Sequence, residues 1–288
     1  MIAIYKKEMK SYFTSMMVYI FFALFIAAIG IYFTYYCLAY GVTDFSGYVL
    51  NSITILYLII VPILTMRLMA EEKKQKTDQL LLTSPLRVTD IIFGKYFAVL
   101  TLLLIAMVIA AGYGLFIGIF GKISIPNLMT GILGYFLLGA ALMAIGLFIS
   151  TLSENQVTAA VLSFGVVLAM FLLPNVASMA PGRARYTIII AIIATALISY
   201  FFFEETKSIK TAVLAAAILV AIIVAVWFLK PTVYDDGVAN LISWLSVLER
   251  SNHFFSGILN VSSILYFISF IAVFLLLSMQ SIQKRRWK

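Results

Sequence analysis

Long, continuously apolar stretches alternate with short polar ones along the whole chain. Each apolar stretch has about 18 or more residues, which is enough to cross the ~30 Å hydrocarbon layer of a membrane as a helix. The stretches do not alternate apolar and polar residues, which excludes the strands of a membrane β-barrel. The pattern therefore predicts an all-α, polytopic membrane protein with about eight spans, at residues 16–39, 49–69, 97–120, 127–150, 157–178, 186–203, 211–229 and 258–279.

The first segment, residues 1–16, has a different pattern, with apolar and basic residues on separate faces of a helix. Such a helix lies in the membrane interface, with its lysines towards anionic lipid headgroups. A plain basic flank before the first span is the alternative. The interfacial helix is the favoured interpretation, and its residues are Tyr5, Met9 and Tyr12 on the apolar face and Lys6, Lys7 and Lys10 on the basic face.

The composition agrees with a membrane protein. Charged residues make up only 11% of the chain, whereas soluble domains have about 25%. The net charge of +8 arises from lysines and arginines beside the spans, and such residues concentrate on the cytoplasmic side of a membrane. Placing both termini in the cytoplasm puts most of them there. Topology therefore explains the charge, and no nucleic-acid partner is predicted.

The sequence offers little for catalysis. Cys37 is the only cysteine and His253 the only histidine, so no disulfide within the chain and no metal site are expected. A phosphate-binding loop needs Gly-x4-Gly-Lys-Ser/Thr, but Gly121-Lys122 is followed by Ile123 and preceded by Phe116 at the first glycine position. We expect no catalytic residue and no cofactor in this chain, which is therefore not an enzyme by itself.

The largest charged segment, residues 67–96, is too long for a plain connection between spans. Its first half is rich in helix formers and ends in three leucines. Thr83-Ser84-Pro85 then breaks the helix and can cap a second one. The pattern predicts two short helices meeting at a corner, with exposed leucines and a charged rim that suit a soluble partner. An amphipathic loop lying on the membrane fits the pattern equally well.

This segment resembles the first cytoplasmic loop of ABC-2-type transporter permeases, in their gliding-motility-like branch. The shared pattern is carried by Arg67, Ala70, Glu71, Glu72, Thr77, Leu80, Leu81, Leu82, Ser84, Pro85, Gly94 and Lys95. Three further stretches resemble the same family: "KKEMKSYFTSMMVYIFFALF", "ISTLSENQVTAAVLSF", and the tail that contains "FSGILNVSSILYFISF" and "SMQSIQKRRW". The resemblance covers residues 1–178 and about 232–288.

The resemblance implies a single transmembrane domain over residues 1–288. Permeases of this family usually have six spans, so residues 181–230 are expected to form an inserted hairpin of two more. An even insertion keeps both termini in the cytoplasm. The role of the hairpin stays open: it could bind an accessory membrane subunit, or it could only widen the surface that faces lipid.

The resemblance also implies partners. ATP and magnesium would bind a separate ABC ATPase, in two copies under a dimer with a second permease chain, either identical or different. Residues 67–96 would be the ATPase-coupling loop, and a second cytoplasmic turn would be a lesser contact. The expected coupling residues are Glu71, Glu72, Thr77, Leu81, Leu82, Thr83, Ser84, Pro85 and Arg87 in the loop, and Ser153, Glu154, Asn155 and Gln156 in the turn.

Residues 232–257 form another amphipathic segment, which we expect to be a helix on the extracytoplasmic side. Tryptophan is favoured at the level of the lipid headgroups. By resemblance the segment is a re-entrant element and a candidate external gate, and a helix lying on the outer leaflet is an equal alternative. The residues of its apolar face are Leu241, Trp244, Leu245 and Leu248.

Charged residues are nearly absent from the predicted spans, whereas ion-coupled pumps need ionisable groups there. This argues against an ion-coupled pump, and the resemblance implies the permease subunit of an ATP-driven ABC transporter in the bacterial cytoplasmic membrane. It would export an apolar or amphipathic cargo, such as a lipid, a peptide or a lipid-linked molecule, or it would transmit ATPase motion across the membrane. A scaffold for an extracytoplasmic assembly is the alternative, and a secondary transporter is a weaker one.

Overall fold

The computed structural model describes residues 1–77, 86–121, 124–179 and 237–286, and in these residues all regular structure is helical. The chain divides into two compact units, one made of Met1–Met170 and Val247–Lys288 and the other of Phe171–Ser246. The predicted hairpin over residues 181–230, with its two spans, lies outside the described residues.

The N-terminal part of the chain contains helices α1 (Ile2–Thr14) and α2 (Met16–Phe33). Ser15 between them is extended, and its hydroxyl accepts a hydrogen bond from Met17 N–H at 3.3 Å, which caps α2. A π-helical turn over Thr34–Ala39 continues α2. The predicted short N-terminal helix and the first span are therefore both helical.

The second span is irregular. It begins with a π-helical turn at Ser46–Leu50, passes through a 3₁₀ turn at Thr54–Leu56, and becomes regular in α3 (Tyr57–Thr65). Pro62 lies inside α3 and removes one backbone hydrogen bond of that helix. After a turn comes α4 (Ala70–Lys74), a helix of five residues at the start of the first loop.

Of the two short helices predicted in the first loop, the first is helical over α4, and the second is not a separate helix. The predicted corner at Thr83-Ser84-Pro85 lies outside the described residues. After α4 the helix is interrupted at Lys76, which adopts a left-handed backbone conformation (φ 57°) that is typical of helix ends. The second predicted helix is the beginning of α5 (Val88–Phe120), a single helix of 33 residues. No proline interrupts α5, and Gly94 costs a helix only about 1 kcal/mol.

The remaining long helices are α6 (Ile125–Leu152), α7 (Gln156–Met179) and α10 (Val261–Arg286). Two short helices precede α10: α8 (Gly237–Leu245) and α9 (Val247–Phe255). The predicted helix over residues 232–257 is therefore two helices in its described part, with a break at Ser246.

Among the described residues, six helices are long and apolar enough to cross a membrane. They coincide with six of the eight spans that the sequence pattern predicts. The first loop, predicted over residues 67–96, is shorter in the structure because the helical second span continues to Lys74 and α5 begins at Val88. The six helices cover Met16–Ala39, Ser46–Lys74, Val88–Ile119, Ile125–Leu152, Gln156–Met179 and Val261–Lys284.

The central helix of the larger unit is α6. Its apolar stretch is 72% buried, compared with 28% for the first span and 22% for α10. Glycines allow the second span to approach closely, because a Cβ on Gly139 would overlap Tyr57 and one on Gly146 would overlap Thr65. Two buried tyrosines add hydrogen bonds to backbone carbonyls, from Tyr57 to Tyr135 and from Tyr96 to Ala140.

The buried face of α1 differs from the predicted one. The buried residues of α1 are Ile4, Glu8 and Tyr12, whereas the sequence pattern placed Tyr5 and Met9 beside Tyr12. The carboxylate of Glu8 turns inwards because it pairs with a lysine of α5. The inner stripe of α1 therefore contains a charged residue that an apolar periodicity does not reveal.

Candidate functional site

The short helix α4 is anchored to the end of α6. The buried hydroxyl oxygen of Ser150 accepts hydrogen bonds from Met69 N–H at 3.0 Å and from Ala70 N–H at 3.1 Å. These N–H groups begin α4, where a helix provides no partner of its own. Lys73 Nζ donates to the backbone carbonyl of Thr151. Both ends of α4 are therefore held by the last turn of α6.

Four charged residues join α4 to α1 and α5, and we call Lys7, Glu8, Glu72 and Lys95 the charged cluster. Lys95 Nζ donates to Glu8 Oε1 at 2.7 Å. It also lies 3.0 Å from Glu72 Oε2, as an ion pair without hydrogen-bond geometry. Glu72 Oε1 accepts a hydrogen bond of 2.7 Å from Lys7 Nζ. Each carboxylate of the cluster is therefore paired with at least one lysine.

The charged cluster is buried except at one edge. The side chain of Lys95 is 1% exposed and that of Glu72 is 11% exposed, whereas that of Lys7 is 60% exposed. Partial burial lowers the pKa of Lys7, but the hydrogen bond to Glu72 and the charges of Glu72 and Glu8 outweigh this, so the pKa of Lys7 lies above its ordinary value. Lys7 is therefore a cation at neutral pH and balances the second carboxylate.

Two further contacts fix α1 against the helices beside it. The buried Tyr12 hydroxyl donates a hydrogen bond of 2.7 Å to the carbonyl of Leu64 in α3, and burial raises the pKa of this phenol well above its ordinary value. At Gly94 of α5, a Cβ would lie only 3.0 Å from the side chain of Ile4. The absence of a side chain at Gly94 therefore lets α1 approach α5 next to Lys95.

A second ion pair lies beside the charged cluster. Arg67 Nε donates to Glu71 Oε2 at 2.7 Å, and a guanidinium N–H of Arg67 donates to Ser15 Oγ at the junction of α1 and α2. A polar cleft of about 270 Å³ opens between these residues and the cluster. Its lining residues are Lys7, Glu8, Ser11, Arg67, Glu71, Glu72, Gln75, Thr77 and Lys95.

The predicted coupling residues of the first loop fall into three groups. The first group, Leu81, Leu82, Thr83, Ser84 and Pro85, lies outside the described residues. Thr77 and Arg87 are exposed on either side of that gap, and the Glu71 side chain is 27% exposed. Glu72 points inwards to Lys7 and Lys95, so a contact with a partner would require its carboxylate to leave Lys95.

The predicted coupling residues of the second turn connect α6 and α7. Ser153 is buried, and its hydroxyl donates to the carbonyl of Ile149 at 3.0 Å. Asn155 caps α7 through a 3.4 Å hydrogen bond from Val157 N–H to its Oδ1. Glu154 is exposed. Because Ser150 and Thr151 bind α4, the two segments predicted to face an ATPase lie at the same end of α6.

Sequence reasoning missed Ser150, Glu8 and the pairing of Lys95. Two of them had a weak signal in the sequence: Ser150 is a polar residue at the end of an apolar helix, and Glu8 is the one acidic residue in the basic segment 1–16. The pairing itself had none, because Glu8 and Lys95 are 87 positions apart and only tertiary structure brings them together.

At the other end of α6, a small polar site joins the connection between the first two spans to α6, and we call Asp44, Ser46 and Asn127 the polar joint. Asp44 Oδ1 accepts hydrogen bonds from Gly47 N–H at 3.0 Å and from Asn127 Nδ2 at 2.9 Å. Ser46 Oγ donates to the carbonyl of Asn127 at 2.9 Å. A cavity of about 110 Å³ lies beside these groups. In the described part of the chain, no group of three His, Cys, Asp or Glu residues could hold a metal ion.

The predicted external gate residues are divided between the two short helices. Trp244 and Leu245, at the end of α8, are 58% and 52% exposed. Leu248 lies in α9 and is partly buried. The side chain of Leu241 is outside the described part of the structure. Because the helix breaks at Ser246, Leu241, Trp244 and Leu245 belong to α8 and Leu248 belongs to α9.

Residues 6–173, more than half of the chain's 288, match the model of a family described as ABC-2 family transporter protein. The match includes the charged cluster, α4 and the end of α6. No curated protein sequence matches the chain. With six apolar helices and this match, the chain is a multi-pass membrane protein that belongs to the ABC-2 transporter family, whose permeases associate with an ABC ATPase.

Proposed function

We propose that the chain is the permease subunit of an ATP-driven ABC transporter whose ATPase is a separate chain. The observation that supports this most directly is the anchoring of α4 by Ser150 at the end of α6. A partner that pushes on the first loop would move α4, and α4 would carry the central helix of the larger unit with it. Gating would then be a rigid-body transition of the spans.

The ATPase would bind the exposed part of the first loop. Among the described residues this surface consists of Glu71, Thr77 and Arg87, the resemblance adds residues 81–85 to the same contact, and the turn at Glu154–Gln156 would be a lesser contact. Ser153 is buried and supports that turn from inside. Glu72 supports the loop in the same way, because its carboxylate is already bound by Lys95 and Lys7.

The chemistry of ATP would belong to the partner. ATP and magnesium would bind the ATPase, since the sequence of this chain has no phosphate-binding loop, and the chain itself would not be an enzyme. Two ATPase copies under a dimer of permease chains, identical or different, would make the complete transporter. The resemblance to the gliding-motility-like branch supports this stoichiometry by analogy with the family.

The topology that fits this function has eight spans and both termini in the cytoplasm of a bacterial cell, with the chain in the cytoplasmic membrane. Six helices of sufficient length support it, and the sequence of residues 181–230 adds a hairpin of two more. The hairpin could hold an accessory membrane subunit. The basic residues of α1 face the cytoplasmic headgroups in this orientation, as the positive-inside bias favours.

The cargo would be apolar or amphipathic, such as a lipid, a peptide or a lipid-linked molecule, and export would be the direction. The scarcity of charged groups in the spans supports this choice. On the opposite side of the membrane, α8 and α9 would form the external element before the last span. The exposed Trp244 and Leu245 suit the headgroup level of the outer leaflet there.

Co-purification tests the proposed function. The tagged chain, extracted in mild detergent from its own cells, should bring with it an ABC ATPase identified by mass spectrometry. In a variant with Glu71→Ala, Leu82→Asp and Glu154→Ala, the amount of co-purified ATPase should fall at least about tenfold. The reason is that this variant removes an apolar anchor and its charged rim. The matched control is Tyr40→Ser, at the opposite end of the first span, where the side chain is 67% exposed.

The control variant should bind the ATPase as well as the unmodified chain does. If the unmodified chain brings down no ABC ATPase, the proposed function is wrong. If the triple variant binds as tightly as the control, the ATPase docks elsewhere and the assignment of the first loop fails.

A further inference from the structure

We propose that Lys95 is a positioning residue that makes α1, α4 and α5 move as one body when the first loop is displaced. The inference rests on the proposed function, because it assigns the route by which motion of the loop reaches α1 and α5. Its basis is the charged cluster, in which one buried ammonium group holds carboxylates from two other segments.

The position of Lys95 is unusual for a lysine. Its side chain is 1% exposed, although lysine is almost never fully buried unless it is paired. A buried charge is costly unless it is paired and hydrogen-bonded. Here the ammonium group has two carboxylates within 3.0 Å, one from α1 and one from α4. Lys95 belongs to neither of these segments, so it ties both of them to α5.

A gain in the free energy of unfolding does not by itself explain the charged cluster. Replacing a buried ion pair with apolar residues of similar volume is often neutral or stabilising, whereas removal of one partner is strongly destabilising. What a charged cluster provides in addition is a fixed geometry, since each carboxylate must face the ammonium group. The three segments therefore keep their relative orientation as long as Lys95 is present.

The helix α4 needs contacts that fix its orientation because it is short. A helix of five residues is not stable by itself, so its orientation depends on what holds it. Ser150 holds its N-terminal N–H groups, and Glu72 holds its side through Lys95 and Lys7. Without Lys95, α4 would keep its attachment to α6 but would lose its link to α5, and its link to α1 would depend on the exposed Lys7.

The first experiment uses the chain alone, by hydrogen exchange in detergent. With Lys95→Met, the backbone amides of both α1 and α4 should exchange at least about tenfold faster than in the unmodified chain, because Glu8 of α1 loses its buried cation and Glu72 of α4 keeps only the exposed Lys7. The matched control is Lys74→Met, at an exposed lysine of α4, which should change neither segment. If either α1 or α4 keeps its protection in Lys95→Met, the proposed link does not exist.

The second experiment separates positioning from stability. The combined variant Lys95→Met, Glu8→Gln and Glu72→Gln has no buried charge, so its Tm should return close to that of the unmodified chain. Spin labels at Lys10→Cys and Lys74→Cys, both exposed positions, would report the distance between α1 and α4 in the ATPase complex, with Cys37→Ser as background. When a non-hydrolysable ATP analogue binds, the distribution of this distance should stay narrow in the labelled chain with an intact cluster. In the combined variant, the width of the distribution should at least double.

The outcomes distinguish this inference from the proposed function. A combined variant that recovers both Tm and a narrow distance would show that packing alone orients α4, and the role of Lys95 would be only structural. If no ATPase binds the unmodified chain, the proposed function fails, while the exchange result on the chain alone still decides whether Lys95 links α1 to α4.

Discussion

The two ends of α6 are joined to their neighbours by different chemistry. At one end, Ser150 of α6 accepts hydrogen bonds from the start of α4, and the side of α4 is held by the ion pairs of the charged cluster around Lys95. At the other end, the polar joint uses one carboxylate with neutral partners, and Gly131 and Gly134 allow Ser46 and Phe254 to approach the backbone of α6. The first end therefore lies beside a buried charged cluster, whereas the second relies on one carboxylate with neutral partners and on close packing.

This difference predicts opposite sensitivities. Close packing against a helix backbone is lost when a single methyl group is added, because interiors are packed at nearly crystalline density. A cluster of paired charges tolerates small changes in volume but not the loss of one charge. Substitutions that add volume should therefore be worst near Gly134, and substitutions that remove a polar partner should be worst near α4.

The largest effect is expected for Gly134→Ala. A Cβ at this position would overlap the Cβ of Phe254, which belongs to α9 and is fully buried. Overpacking of this kind costs about 3 kcal/mol of the free energy of unfolding, and Cβ atoms of two helix backbones cannot turn away by changing rotamer. Thermal unfolding in detergent micelles would measure the loss.

The matched control for Gly134→Ala is Gly165→Ala in α7. No atom lies within 4 Å of a Cβ at Gly165, and alanine is favoured over glycine inside a helix by about 0.5–1 kcal/mol. The control should therefore leave Tm unchanged or raise it. Equal losses in the two variants would mean that the close approach of α9 to α6 does not decide stability at this end.

Most of the fold could be predicted from the sequence because the lipid environment restricts it. Continuous apolar runs predicted six spans that the described residues contain, since only helices satisfy their backbone groups along such a run. The ends of the helices were harder to predict. The start of α5 at Val88 was read as a separate loop helix, because polar residues such as Asp90 lie on it before the apolar run begins.

The candidate site could be predicted only in part. The charged pattern and the family resemblance identified the first loop, but they read Glu72 as an outward contact and Lys95 as part of a motif. The roles of these residues follow from pairing between distant segments, which periodicity along one helix cannot show. Ser150 was missed for the same reason, because its function is to accept two N–H groups from α4.

An intermediate effect is expected for Ser150→Ala, at the end beside the charged cluster. The substitution leaves the N–H groups of Met69 and Ala70 without their partner in a buried position, at a cost of about 2 kcal/mol. The same thermal unfolding measurement applies, and retention of the ATPase should fall as well because α4 is displaced. Ser278→Ala is the control, since the buried Ser278 hydroxyl donates only to Phe274 within its own helix.

The Ser278 control should cost well under 1 kcal/mol, because the carbonyl of Phe274 keeps its helical hydrogen bond when the hydroxyl is removed. If Ser150→Ala is as mild as this control, Lys73 anchors α4 to α6 through the carbonyl of Thr151 instead, and the hydrogen bonds of Ser150 do not decide stability at this end.

The smallest effect is expected for Asn127→Leu in the polar joint. The substitution removes the hydrogen bond from Nδ2 to Asp44, but Asp44 keeps the one from Gly47 N–H. It also removes the buried Oδ1, which has no hydrogen-bond partner among the described residues, so a desolvation penalty disappears. These changes offset each other, and the free energy of unfolding should fall by about 0.5–1 kcal/mol in a thermal unfolding measurement.

The variant for comparison is Lys95→Met, where no such offset exists because Glu8 stays buried and loses its cation. A loss in Asn127→Leu as large as that in Lys95→Met would show that the end built on close packing depends on its polar contacts just as strongly, and the contrast between the two ends of α6 would not hold.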